Sequence, residues 1–243
     1  MNIPIVYEDD DFLIIDKPSG LLTHPVNRQD KSESVVSWVL EKHPEISTIR
    51  DNYGDSVGVW TDLRPGIVHR LDRETSGLLL IAKNQSSFNY LKNIFKERKI
   101  KKTYLALVYG IVRESSGTID IPLGKLGSKQ STKIKGKKNL EEKSAITEFK
   151  VLQKFNDYSL IEFRPLTGRT HQLRVHAKTM GYPIVCDPIY SGKRAVCPPE
   201  LGRMFLHANK LSFTSPSGMA ISVEIDLPAK LDDFLKDLPK QEN

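Results

Sequence analysis

The apolar residues of this chain come in blocks too short to be anything but single strands or one face of a helix. The longest runs, Gly77–Ala82 and Tyr104–Val112, fall far short of the ~20 residues that cross a bilayer. Met1 is followed by Asn-Ile-Pro and then acidic residues, which is not the pattern of a signal peptide. A cytoplasmic protein without a membrane partner is therefore expected.

Within those limits the periodicity points to mixed helix and sheet. Leu78–Ala82 and Thr103–Val112 read as fully buried strands, and Phe12–Asp16 is an apolar run closed by the turn-forming Lys17-Pro18-Ser19-Gly20. Ile221, Val223, Ile225 and Leu227 alternate with polar residues, the period of a strand with one buried face. Phe88, Leu91 and Phe95 recur at helical spacing behind a possible Asn84 or Ser86 cap. A second helix is expected over His171–Met180, with Thr170 as N-cap and Gly181 and Pro183 as its stop. Its Leu173, Ala177 and Met180 would face the core. His171, Arg174 and Lys178 would line another face, a row of potential cations on an exposed or cleft-lining surface.

Several classes of chemistry are excluded by count. Two cysteines, Cys186 and Cys197, are too few for a disulfide scaffold or a thiolate zinc site, and none of the six histidines falls in an HExxH pattern. Chemistry independent of thiols and of metal is expected. Charge is more informative. The chain carries a formal +6, but between Lys92 and Lys143 there are 14 basic residues against 5 acidic ones. A basic patch on a near-neutral body is the footprint of a polyanion binder, or of a lysine-rich loop kept for solubility.

Three segments carry candidate chemistry. In Pro65–Gly77, Asp72 lies between Arg70 and Arg73, which would keep it ionised; a surface ion-pair cluster is the competing reading. In Lys102–Val108, Tyr104 is the lone aromatic among aliphatics, as a core tyrosine would also be. In Arg164–His176, Gly168 permits a sharp turn into a helix start able to receive a phosphate. Alone, that segment reads equally as an exposed basic helix start.

Taken together, HRLDRETSGLLLIAK, KTYLALVYG and PLTGRTHQLRVHAKTMGYPIVCDPIYSG closely resemble the RluA-type family of RNA pseudouridine synthases. The opening VYEDDDFLIIDKPSGLLTHP and the late LHANKLSF extend the likeness from about Val6 to Leu227. The resemblance implies an α+β fold, a mixed and mostly antiparallel bent sheet with flanking helices and a central catalytic cleft. It implies that Asp72 is the catalytic aspartate, Tyr104 stacks on the target base, Arg174 pairs with the aspartate and Arg70 helps displace the target nucleotide. His69, Arg169, Thr170, His171 and Lys178, in the same motifs, are the further candidates for substrate binding. No cofactor and no metal are implied, and the partner is RNA, either tRNA or rRNA.

The catalytic pattern begins a few residues from Met1, so the S4 domain found in many relatives is expected to be missing. A single catalytic domain over 1–243 is expected, acting as a monomer, with 124–143 as a mobile basic loop. Cys186 stands where relatives often have glycine, which reads as a local packing change without bearing on the chemistry.

Overall fold

The computed structural model describes residues 1–51, 64–126, 129–132, 141–192 and 196–239. In chain order its elements are β1 (Ile5–Glu8), β2 (Phe12–Lys17), α1 (Val35–Lys42), β3 (Ser76–Ala82), α2 (Gln85–Lys96), β4 (Lys101–Tyr109) and β5 (Ser116–Asp120). There follow β6 (Gly124–Leu126), β7 (Lys129–Ser131), β8 (Ile146–Lys154), β9 (Tyr158–Pro165), α3 (Gln172–Thr179), β10 (Leu206–Thr214), β11 (Ala220–Glu224) and α4 (Ala229–Asp237). The class is α+β with a mostly antiparallel sheet. None of the described helices is long and apolar enough to cross a membrane. Two compact units result, Met1–Lys101 with Lys210–Ile225, and Lys102–Asn209 with Asp226–Asn243.

In the first unit β2 lies between β1 and β3, antiparallel to both, with Leu13 opposite Ile81 and Lys17 opposite Gly77. All seven residues of β3 are buried, which explains its unbroken apolar run: both faces are covered. Helix α2 starts at Asn84, whose side chain accepts from Ser87 N, and buries Phe88, Leu91 and Ile94. Phe95 leaves that face and stacks instead on His69, ring centroids 4.7 Å apart. The alternation expected around Ile221 is present in β11, but its inward side is only half-buried. Its outward side pairs Glu224 with Lys210 at 2.7 Å, across the register with β10.

In the second unit β9 runs between β4 and β8, with β5 beyond β8, every pair antiparallel. Only Ala106, Leu107 and Val108 of β4 are buried, so the run expected to be buried throughout is so only at its centre. Its first residue, Lys101, is charged and exposed and keeps that end of the strand near the surface. Leu173 and Ala177 of α3 join the core beside Phe149, Ile161 and Phe163, with Met180 packed against it, as their spacing implied. Helix α4 anchors on Leu231, packed with Phe155, Val185 and Phe205.

Two helix details differ from expectation. Helix α3 begins at Gln172, and its cap is His171 in a left-handed conformation (φ 54°) with no side-chain cap bond. Thr170 is an exposed turn residue. The Gln172 side chain organises the turn instead, its Oε1 accepting from Arg169 N at 3.0 Å and Thr167 Oγ1 at 2.8 Å. The segment expected to be a basic loop opens as a hairpin, β6 against β7, with Lys125 opposite Gln130. The loop lysines Lys133, Lys135, Lys137 and Lys138 lie outside the described residues.

The cysteines correct a further expectation. Too few to make a scaffold, they nevertheless bond to one another, Cys186 to Cys197, with Cα atoms 4.6 Å apart. Cys186 has φ 59°, a left-handed conformation that costs a residue with a Cβ about 1–2 kcal/mol. Glycine suits such a position without strain. What distinguishes Cys186 is thus its backbone conformation and a crosslink, more than packing.

Two stability measurements test this description. Gly66 has φ +72°, and an added Cβ would lie 2.6 Å from the Ala82 carbonyl and 2.8 Å from Ile46 Cγ2. Gly66→Ala should cost about 2–4 kcal/mol in urea unfolding, and a wild-type midpoint would refute the close approach of this loop to β3. Replacing both cysteines with serine should cost about 2–3 kcal/mol under oxidising conditions, for a closed loop of this size. No change between oxidised protein and the double variant would show that the bridge does not form in solution.

Candidate active site

Asp72 is presented by a loop whose backbone is held on both sides. The side chain of Lys17, 0% exposed, donates from Nζ to Pro18 O and Leu21 O at 2.9 Å and to Arg73 O at 3.3 Å. Gly20, at φ 89°, donates its N–H to Arg73 O at 2.7 Å, and Arg73 Nε returns a bond to Gly20 O at 2.9 Å. Ser19 Oγ donates to Glu74 O at 2.7 Å and Thr23 Oγ1 to Leu71 O at 2.8 Å. The turn that follows β2 thus grips residues 71, 73 and 74 and leaves Asp72 between them, half-buried. The Cα from which the carboxylate projects is thus placed by the fold.

The other candidates in this unit differ in kind. His69 Nε2 accepts from Leu80 N at 2.9 Å, so its proton sits on Nδ1, and its ring stacks on Phe95. Arg70 is exposed. His24, next to the gripping Thr23, donates from Nδ1 to Pro25 O at 2.8 Å. Burial pushes its pKa down to about 4, with Arg64 and Arg70 adding to the effect.

In the second unit Tyr104 lies opposite Phe163 in the sheet and packs on the core with Ala106. Lys102, two residues before it, shares its face of β4 by strand alternation. Burial lowers the Lys102 ammonium to about 8, and a Cβ on Gly168 would lie 3.8 Å from its Nζ.

Arg174 departs most from the sequence reading. It belongs to the expected row with His171 and Lys178, yet it is 0% exposed while Lys178 is at the surface. The reason is Asp187, which receives Arg174 Nε on Oδ2 at 2.7 Å and Nη2 on Oδ1 at 2.8 Å. The row instead gathers around Tyr190. Its ring centroid lies 5.3 Å from the Arg174 guanidinium carbon and 5.7 Å from Lys178 Nζ. Its hydroxyl is 2.9 Å from His171 Nδ1 and accepts from Gln130 N. Arg169 donates from Nε to Ser144 O at 3.0 Å, and Thr170 stays exposed at the turn.

Sequence reasoning missed Lys17, Lys102, Asp187 and Tyr190 as functional candidates, although each stands inside a motif already singled out. A lysine within an apolar strand and an acid among apolar residues were the available signals, since neither is buried without a partner. Among the described residues no cluster of His, Cys, Asp and Glu could hold a metal ion. In the first unit a carboxylate stands on a hydrogen-bonded loop, and in the second a buried guanidinium is oriented by a carboxylate.

Comparison with known proteins bears on the family. The pattern of the family described as RNA pseudouridylate synthase matches residues 11–179. The protein of Bacillus subtilis described as the uncharacterized RNA pseudouridine synthase YlyB is 35% identical over 242 residues, covering 99% of this chain and 74% of its own. The ribosomal large subunit pseudouridine synthase D of Pseudomonas aeruginosa is 34% identical over 250 residues, covering 97% of this chain and 70% of its own. Among solved structures, human RNA Pseudouridylate Synthase Domain Containing 1 superposes with a TM-score of 0.68 at 26% identity, over 99% of this chain and 97% of that one.

The buried histidines make acid stability a test of the local packing. Burial lowers both His24 and His207 to about 4, and lowers His176 as well. Unfolded histidines take up a proton near 6.5, so between about pH 6.5 and 4 the unfolded chain binds more protons than the folded one. Stability must then fall as pH falls through that window, by up to about 2–3 kcal/mol per pH unit for two such groups. Urea unfolding at pH 4.5 and pH 7 measures it; equal stabilities would mean that these rings are solvated.

Proposed function

The chain belongs to the RNA pseudouridine synthase family and isomerises uridine in RNA, and on that premise we propose that Asp72 carries the reaction, with Tyr104 and Arg174 as its partners. The observation behind this assignment is the grip of Lys17, Ser19 and Thr23 on the backbone around Asp72. The conversion breaks the N1–C1′ glycosidic bond, turns the uracil and forms C5–C1′. N1 gains a proton and C5 loses one, so composition and oxidation state are unchanged. In this reading the ionised carboxylate of Asp72 acts at the sugar, either as nucleophile on C1′ or as base in forming a glycal-like intermediate. Both routes require it deprotonated and fixed.

Tyr104 would stack on the detached uracil and keep it from diffusing away while it turns. A phenol is a poor base near neutral pH, which favours the role of platform. Arg174 takes the place of the family's basic partner to the aspartate. Arg70, His69, Arg169, Thr170, His171 and Lys178 are assigned to the RNA. Arg70, Thr170 and Lys178 are exposed and His171 is half-buried, which suits contact with phosphates and an extruded nucleotide. No cofactor or metal enters this scheme.

For the substrate, the Pseudomonas relative is named for the large ribosomal subunit, so rRNA is the first RNA to test and tRNA the second. We read the enzyme as a cytoplasmic monomer. Among the described residues, exposed large apolar side chains such as Val26, Leu152, Leu166 and Met219 come from separate segments of the chain. In the reducing cytoplasm the Cys186–Cys197 bridge would be open.

The decisive experiment uses rRNA and tRNA transcripts tritiated at uracil C5, which lose tritium to water when C5–C1′ forms. Asp72→Asn should slow release at least ~100-fold while RNA affinity stays within about threefold, since a carboxylate opposes polyanion binding. Release by this variant at more than about a hundredth of the wild-type rate would remove Asp72 from the chemistry.

A further inference from the structure

We infer that Asp187 is a positioning residue for uridine isomerisation, fixing the plane and direction of the Arg174 guanidinium; this rests on the reading of Arg174 as the partner of the catalytic aspartate. The contact is two-pronged and enclosed. Arg174 Nε and Nη2 meet the two carboxylate oxygens at 2.7 and 2.8 Å, and the side chains are 1% and 0% exposed. A side-on pair of this kind defines the guanidinium plane, because both bonds lie in it. Arg174 Nη1 lies outside the pair, and its direction follows once that plane is set.

Asp187 is itself held too firmly to adapt to the arginine. Its Oδ1 also accepts from Ile189 N at 2.8 Å and Tyr190 N at 3.0 Å. Its own N–H bonds to Ile184 O at 3.2 Å, and Ser191 Oγ donates to its carbonyl at 2.6 Å. The same turn carries Tyr190, whose ring lies 5.3 Å from the guanidinium carbon. One short segment thus supplies both an edge contact and a ring contact to one side chain.

Stability alone is a poor reason for this arrangement. Desolvating two ions offsets most of their attraction, and apolar residues of like volume commonly serve a core as well or better. Orientation is what the ion pair adds. A catalytic group displaced by about 1 Å can lose ~100-fold in rate, so a fixed arginine has a function that a merely buried one lacks.

The test compares wild type, Asp187→Asn, Asp187→Glu and Arg174→Ala as full-length chains, on whichever transcript the wild type modifies. Single-turnover rates at saturating RNA are normalised to the folded fraction and read beside RNA affinity. Asp187→Asn presents one acceptor and one amide donor to the fork, and should slow the reaction at least ~30-fold with affinity within about threefold. Asp187→Glu keeps the charge and should fall between wild type and Asp187→Asn. A role confined to stability would lower the folded fraction and leave the rate per folded molecule alone. That outcome, a rate for Asp187→Asn within about threefold of wild type, overturns the proposal. If Asp187→Asn does not fold, Asp187→Glu decides by the same criterion. A wild-type rate for Arg174→Ala would instead refute the role of Arg174 itself, whereas a slow Arg174→Ala beside a fast Asp187→Asn would refute Asp187 alone.

Discussion

A lysine ammonium with no exposed surface governs how this protein displays its candidate aspartate. Lys17 closes β2 and donates to the carbonyls of Pro18, Leu21 and Arg73, groups that a turn would otherwise leave to water. Burying a charge is costly unless it is hydrogen-bonded, so the ammonium and the turn require each other. Without Lys17 these carbonyls lose its bonds, although Gly20 N–H still donates to Arg73 O; without the turn the lysine cannot be buried. Because one of those carbonyls belongs to Arg73, the bargain extends to the loop carrying Asp72, 55 residues further on. The bonds from Ser19, Gly20 and Thr23 hold the same loop.

The second unit solves the same problem with the opposite geometry. There the buried cation is itself a candidate site residue, Arg174, and a short turn comes to it, bringing the carboxylate of Asp187 and the ring of Tyr190. In the first case a cation organises backbone, and in the second backbone organises an anion that holds a cation. Both place a functional group by satisfying a charge that the fold has removed from water.

Much of the architecture was legible because it depends on local regularity. The buried β3, the Asn84 cap and the inward Leu173, Ala177 and Met180 each follow from spacing within one element. Where the reading failed, a contact outside the element's own spacing had changed the local preference. Thr170 is a good N-cap by type, but Gln172 satisfies the preceding turn and leaves His171 in a left-handed cap. The Arg174 row was correctly spaced on its helix, and only Asp187, 13 residues later in the chain, decides that its middle member is buried. The bond between Cys186 and Cys197 likewise depends on how an intervening segment returns, which a count of cysteines does not express.

Sequence by itself determined the family, through ordered motifs around Asp72, Tyr104 and Arg174 that few other constraints would bring together, and with it the reaction class and the α+β fold. It determined the elements whose periodicity is set by burial of one face. The tertiary structure alone decided which charged and polar groups lie inside and what satisfies them: Lys17 on carbonyls, Arg174 on Asp187, His176 between Thr147 and the Ile121 carbonyl. Periodicity reports which side of an element leaves water. The partner of a buried charge is set by three-dimensional proximity between segments far apart in sequence, and no local pattern encodes that.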